Sequence, residues 1–140
     1  QSIQAAVADA VGKAGFVSEG SHGTNHLVRR GGGDTQPLIE VPTTTIDTVC
    51  AAQRLRPRLI KIDVEGAELA VLRGARQTIS AMDREAGIFV EMHPAAWRAM
   101  GQPVDALDAE LAAQGLRAVP LRATEEPWTL EGECVRLERR

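Results

Sequence analysis

The sequence predicts an α/β domain built on a largely parallel sheet, and three observations predict it. Two apolar stretches, residues 59–64 and 87–93, are short enough for strands and are bounded by Pro57, Gly66 and Pro94. The segments that follow them carry apolar residues at the three- and four-residue steps of a helix. Strand, helix, strand, helix, strand is the order that builds a parallel sheet through right-handed crossovers. A chain of 140 residues suits one domain, residues 1–140, with a hydrophobic core of its own.

The elements follow in order. The opening run is apolar up to Asp9, and Gly12 and Gly15 then mark a turn between two short strands. Residues 16–42 suit irregular hairpin material, with short strand-like pieces at His26–Val28 and 38–41 set among the turn-rich stretches SEGSHGTNH and RRGGGD. After Thr43, Thr44 and Thr45, the residues Ile46, Val49, Cys50 and Leu55 keep helical spacing until Pro57 stops the run. Residues 59–64 form the next strand. Leu69, Leu72, Arg76, Ile79 and Met82 then make one helix with an irregularity at Gly74. A second apolar strand spans 87–93. Val104, Leu107 and Leu111 give an amphipathic helix over 103–114, closed by Gly115, and residues 116–121 and 133–137 are the last strands.

Composition removes several function classes. Hydrophobic residues make up 44% and charged residues 25%, values of a soluble globular protein and not of a disordered one. A net charge of -3 without a basic stripe argues against nucleic acid and against an anionic membrane surface as partners. All but two of the sixteen cations are arginines, which we read as coding bias. No apolar run reaches the ~18 residues needed to cross a bilayer, and no signal-peptide pattern is present. Two cysteines, Cys50 and Cys134, stand far apart and outside any redox or zinc spacing, so the expectation is a cytoplasmic protein with free thiols.

The informative residues sit on two strands. Side chains alternate along a strand, so Lys61 and Asp63 share a face with Leu59, and Glu91 and His93 share one with Phe89. Ligands of parallel sheets collect outside the carboxyl ends of the strands. Asp63 and Glu65 occupy that end of one strand, and Glu91 and His93 that end of the other. If the strands are neighbours, Lys61 faces Glu91 as a compensated pair inside the protein, because an unpaired buried charge costs several kcal/mol. Asp63 also suits a helix N-cap, and Glu65 and Glu68 suit the positive end of the helix dipole. Glu68 is assigned to the helix. His93 suits either a satisfied rim histidine or a ligand-site one. These residues alone indicate a ligand site at a strand end.

The same residues carry a family resemblance. IKIDVEGAELAVLRGA, followed by IFVEMHP, resembles the C-terminal half of the FkbM family of S-adenosylmethionine-dependent methyltransferases. Two earlier segments agree in order: AVADAVGKAGF, with Asp9, Gly12 and Phe16, and VPTTTIDTV, with the pair Ile46 and Asp47. The resemblance covers residues 5–94. It implies a Rossmann-like class I methyltransferase fold lacking its N-terminal strand–helix units, because GSHGTNH and RGGGD neither follow an apolar strand nor open a helix, as a cofactor-binding glycine turn must. The expectation is therefore a piece of a longer methyltransferase.

The resemblance further implies S-adenosylmethionine as cofactor, with Ala6 and Val7 bordering its adenine and Asp63 near the transferring methyl. The acceptor is a small molecule or carbohydrate, most often through a hydroxyl. His93 is the candidate base, with Asp63 or Glu65 as its orienter or as the alternative base; Arg98, in the loop after His93, lines the acceptor pocket, and Trp97 suits either that pocket or packing. No metal is assigned. A metal-dependent hydrolase using Asp63, Glu65 and His93 is one alternative, and a non-catalytic α/β module is the other.

Overall fold

In a computed structural model of the chain, the described residues are 2–17, 26–28, 38–122 and 132–140. The turn-rich stretches at 18–25 and 29–37 lie outside them. The order of elements is β1 (Ala6–Val7), β2 (Gly12–Val17), β3 (His26–Val28), β4 (Leu38–Thr44), α1 (Ile46–Gln53), β5 (Leu59–Ile62), α2 (Glu68–Arg73), α3 (Arg76–Ala81), β6 (Gly87–Met92), α4 (Pro94–Ala99), α5 (Val104–Ala113), β7 (Leu116–Pro120) and β8 (Glu133–Arg139).

The strands form two mixed sheets, in the orders β1-β4-β2-β3 and β5-β6-β8-β7. Among the described residues, β1 pairs with β4 and β5 with β6 in parallel, and the other pairs are antiparallel. The α/β class stands, but the largely parallel sheet does not. The reason lies at the C-terminal end. β8 runs back antiparallel and inserts between β6 and β7, so the crossover from β6 through α4 and α5 delivers a parallel strand that never pairs with β6.

The core lies against one face of the second sheet. Ile60 and Ile62 of β5, Val90 and Met92 of β6, and Val135 and Leu137 of β8 pack with Leu72, Ile79, Leu107 and Leu111 from the helices. The opposite face of β5 is open, with Leu59 63% exposed. This corrects the expected interior Lys61–Glu91 pair. The two strands are neighbours and the pair forms, but on the uncovered face and at the surface.

The single helix expected over 69–82 is two helices, broken at Gly74. A Cβ there would lie 2.2 Å from the Ala8 carbonyl oxygen and 3.1 Å from Thr45 Cβ, so the first sheet passes too close for any side chain. The break is held from α1. Asp47 N–H donates to the Gly74 carbonyl at 2.9 Å, and the Asp47 carboxylate accepts from the N–H groups of Gln77 (3.1 Å) and Thr78 (2.7 Å). Thr45 caps α1 in the ordinary way, accepting from Thr48 N–H at 2.9 Å. The Thr45-Ile46-Asp47 run thus starts one helix and caps another that begins thirty residues later in the chain, which ties the first sheet to the second. Asp47→Ala is expected to lower stability by about 1 kcal/mol, the usual loss for a side-chain cap. Urea unfolding measures it; an unchanged midpoint would show that the two bonds contribute nothing net.

Residues 94–99, expected as loop, form α4. Pro94 sits at its first position, where a missing N–H costs nothing and the ring pre-sets φ. Trp97 is buried in this helix, and Arg98 is exposed.

Candidate active site at the ends of β5 and β6

Because β5 and β6 are parallel with Ile62 opposite Val90, the residues that follow each strand emerge at the same end of the sheet. Lys61 reaches across both strands. Its Nζ donates to Asp63 Oδ2 at 2.8 Å and to Glu91 Oε2 at 3.3 Å. The ammonium holds the Asp63 carboxyl below its ordinary range, and Asp63, ahead of Glu91, pushes Lys61 upward.

The chain then turns through Glu65 and Gly66, both with positive φ (49° and 102°). A left-handed glutamate is unusual and persists only where its surroundings over-determine it. Here α4 does so. A Cβ on Gly66 would fall 2.3 Å from Met100 Cε and 2.8 Å from Ala96 Cβ, so the turn lies flat against that helix. The turn leaves Glu65 Oε2 3.6 Å from His93 Nε2.

The other ring nitrogen is held more firmly. His93, 5% exposed, places Nδ1 2.8 Å from Glu68 Oε1. Glu68 opens α2 and has no exposed surface at all. Its carboxylate survives there because N–H groups converge on both oxygens: Gly66 N–H on Oε1 at 3.0 Å and Trp97 Nε1–H on Oε2 at 2.6 Å. A carboxylate only accepts, so His93 Nδ1 carries the proton. In the neutral ring Nε2 is then the basic atom, directed to the Glu65 side.

Of the residues expected at the site, the structure gathers Asp63, Glu65 and His93 around one strand end. It adds a partner that was not expected. His93 is oriented by Glu68 on Nδ1, whereas Asp63 is bound to Lys61 and caps no helix by its side chain. Glu68 was expected only to complement the helix dipole. A signal for its role was available: it stands three and four residues before Val71 and Leu72, on the stripe of α2 that faces the core. Trp97 is likewise bound to Glu68 and buried, so it supports the site from beneath.

The metal-ligand set that gathers differs from the expected one. Asp63, Glu91 and His93 each bring a ligand atom within 4.8 Å of the others, so Glu91 stands where Glu65 was expected.

The family model of the FkbM methyltransferase domain matches residues 1–117. The chain belongs to the FkbM methyltransferase family. Neither curated proteins nor solved structures gave a match. The matched span of this FkbM methyltransferase extends beyond the strand-end residues through all of α5 and into β7, so the acid- and histidine-bearing turns lie inside the family domain. Its Ala6 and Val7 lie in the first sheet. Ala6 pairs with Thr43, and Val7 lines an open apolar cavity of about 260 Å³ with Ile3, Ile46, Val49 and Cys50. No hydrogen bond or ion pair among the described residues joins these two to Asp63. No helix of the described residues is long and apolar enough to cross a membrane.

Proposed function

We propose that this domain transfers the methyl group of S-adenosylmethionine to a hydroxyl of a small molecule or sugar, with His93 taking the hydroxyl proton. The observation that carries the reading is the buried imidazole itself. Glu68 holds its Nδ1–H, and Nε2 lies at the strand end 3.6 Å from Glu65 Oε2. Two features support part of a cofactor site: carboxylates for its cationic groups, and the apolar cavity at Val7 for one face of a purine, while the glycine turn expected of the family is not found in this sequence. The fold read in this way is a Rossmann-like class I methyltransferase.

When bound, S-adenosylmethionine supplies an electrophilic methyl group, and the protein's contribution is to align acceptor and methyl and to exclude water. As the acceptor oxygen attacks, its proton passes to His93 Nε2. The imidazolium formed lies between the carboxylates of Glu68 and Glu65, which stabilise it by charge-assisted contact. Asp63, kept ionised by Lys61, positions cofactor and acceptor. It contributes little to lowering the barrier, because the sulfonium charge fades as the methyl leaves. Ala6 and Val7 border the adenine in this reading. No nucleic acid or membrane partner is required, and the two unpaired cysteines suit the cytoplasm.

The test is His93→Gln. Transfer from radiolabelled S-adenosylmethionine to a panel of hydroxylated acceptors is expected to fall by roughly 10²–10⁴-fold, with cofactor binding by calorimetry retained. Unchanged turnover would remove His93 as the base. Methyl transfer that proceeds without S-adenosylmethionine would remove that molecule as the donor.

A further inference from the structure

Asp63, Glu91 and His93 form a donor set of two carboxylates and one imidazole, mutually within 4.8 Å, which suits a divalent ion such as Mn²⁺. The ring of His93 is oriented by a buried carboxylate, as metal-binding imidazoles are. A cation already lies between the two carboxylates, however, and it belongs to the chain: Lys61 Nζ is 2.8 Å from Asp63 and 3.3 Å from Glu91. We propose that Lys61 stands in for a divalent ion, so that methyl transfer runs without a metal, and that removing the ammonium uncovers a metal site.

Three features carry this. First, the position is built for a cation, since carboxylates from two strands converge on one point. Second, the occupant is a lysine in a chain where only Lys13 and Lys61 break a run of arginines. An ammonium is a compact point charge that fits between two carboxylates on adjacent strands, whereas a planar guanidinium prefers to face one of them squarely. Third, the substitution has a consequence for the chemistry. A metal on Nε2 would occupy the lone pair that takes the acceptor proton, while an ammonium neutralises the carboxylates and leaves the imidazole basic. Lys61 is in these terms a positioning residue: it fixes Asp63 and Glu91 across β5 and β6.

This rests on the reading of His93 as base, but its decisive measurement does not depend on turnover. Mn²⁺ is titrated into wild-type protein, Lys61→Ala, Lys61→Arg and the double variant Lys61→Ala/His93→Gln, with free Mn²⁺ followed by electron paramagnetic resonance. Circular dichroism checks that each variant is folded. Lys61→Ala is expected to bind Mn²⁺ at least roughly tenfold more tightly than wild type, since the ammonium that occupies the two carboxylates has been removed. Lys61→Arg, which keeps the charge, is expected to stay with wild type, and the double variant to lose the gain. Wild-type methyl transfer is expected to be insensitive to EDTA. Tight binding of Mn²⁺ by the wild-type protein would overturn the proposal, as would a folded Lys61→Ala that gains none. If the protein does not bind S-adenosylmethionine, the Mn²⁺ titrations still decide the role of Lys61.

Discussion

Glu68→Gln is expected to lower methyl-transfer turnover by roughly 10²–10⁴-fold, about as much as loss of the base itself. The change is isosteric, so the argument is one of hydrogen-bond polarity. Glu68 accepts on both oxygens: from His93 Nδ1–H and Gly66 N–H on one, and from Trp97 Nε1–H on the other. A glutamine has one acceptor and one donor end. If its oxygen takes the His93 side, its NH₂ meets the Trp97 N–H, two donors face to face in a buried site. If it turns the other way, the NH₂ meets His93 and the ring is driven to the tautomer with its proton on Nε2, which cannot accept another. The first arrangement also removes the charge that stabilises the imidazolium. Either leaves a buried donor unmatched, at a cost to folding of about 1–3 kcal/mol.

The decisive combination is therefore kinetic and structural. Turnover should collapse, calorimetric affinity for S-adenosylmethionine should be kept, and the midpoint of thermal unfolding should fall only moderately. Full turnover in a folded Glu68→Gln protein would show that the Glu68 contact has no part in catalysis.

The largest effect on stability is expected at Arg76, far from this chemistry. Glu110 projects from α5 into the interior, 4% exposed, and receives a two-pronged contact from Arg76, with Nε 2.6 Å from Oε1. Gln114 Nε2 adds a bond at 2.8 Å and Arg73 a longer one at 3.4 Å. Arg76→Met leaves a buried carboxylate with only those two weaker partners. We expect a clear loss of stability, smaller than for a fully buried pair because the guanidinium itself reaches water. Glu110→Gln should cost less, since it removes the charge as well as the contact.

The same contact gives a pH signature. Arg76, first among the partners, pulls the Glu110 carboxyl from 4.5 to about 2. A carboxyl whose folded value is depressed contributes stability that is complete above its unfolded value and disappears as pH falls through the folded one. Wild-type stability should accordingly decline between about pH 4.5 and pH 2, and the decline should be shallower in Arg76→Met. Equilibrium urea unfolding at several pH values measures both. Parallel pH curves for the two proteins would show that Glu110 is not the group responsible.

Local regularities account for what could be read without coordinates. The period of two along residues 59–62 and 87–92 places the strands, and the apolar steps place α1, α5 and the outer limits of α2 and α3. Alternation plus the strand-end rule singles out Asp63, Glu65 and His93, and the structure does bring them around one point. These are properties of neighbours in sequence, so one strand or one turn of helix suffices to express them.

What the tertiary structure alone decides depends on segments far apart in the chain. Whether Lys61 lies inside or outside follows from which face of β5 is covered by helices. The break at Gly74 follows from the approach of Ala8 and from Asp47, which caps α3 from another element. The insertion of β8 between β6 and β7 sets the mixed sheet. Glu68 shows the principle most directly. Its spacing marks a position facing the core, and an acid there suggests a helix-dipole partner. Only the packing of α4 against the turn at Gly66 brings Trp97 and His93 to it, and three N–H donors then make a buried charge tolerable. Burial of a charge is settled by partners that arrive from elsewhere in the chain, and local sequence does not specify which partners those will be.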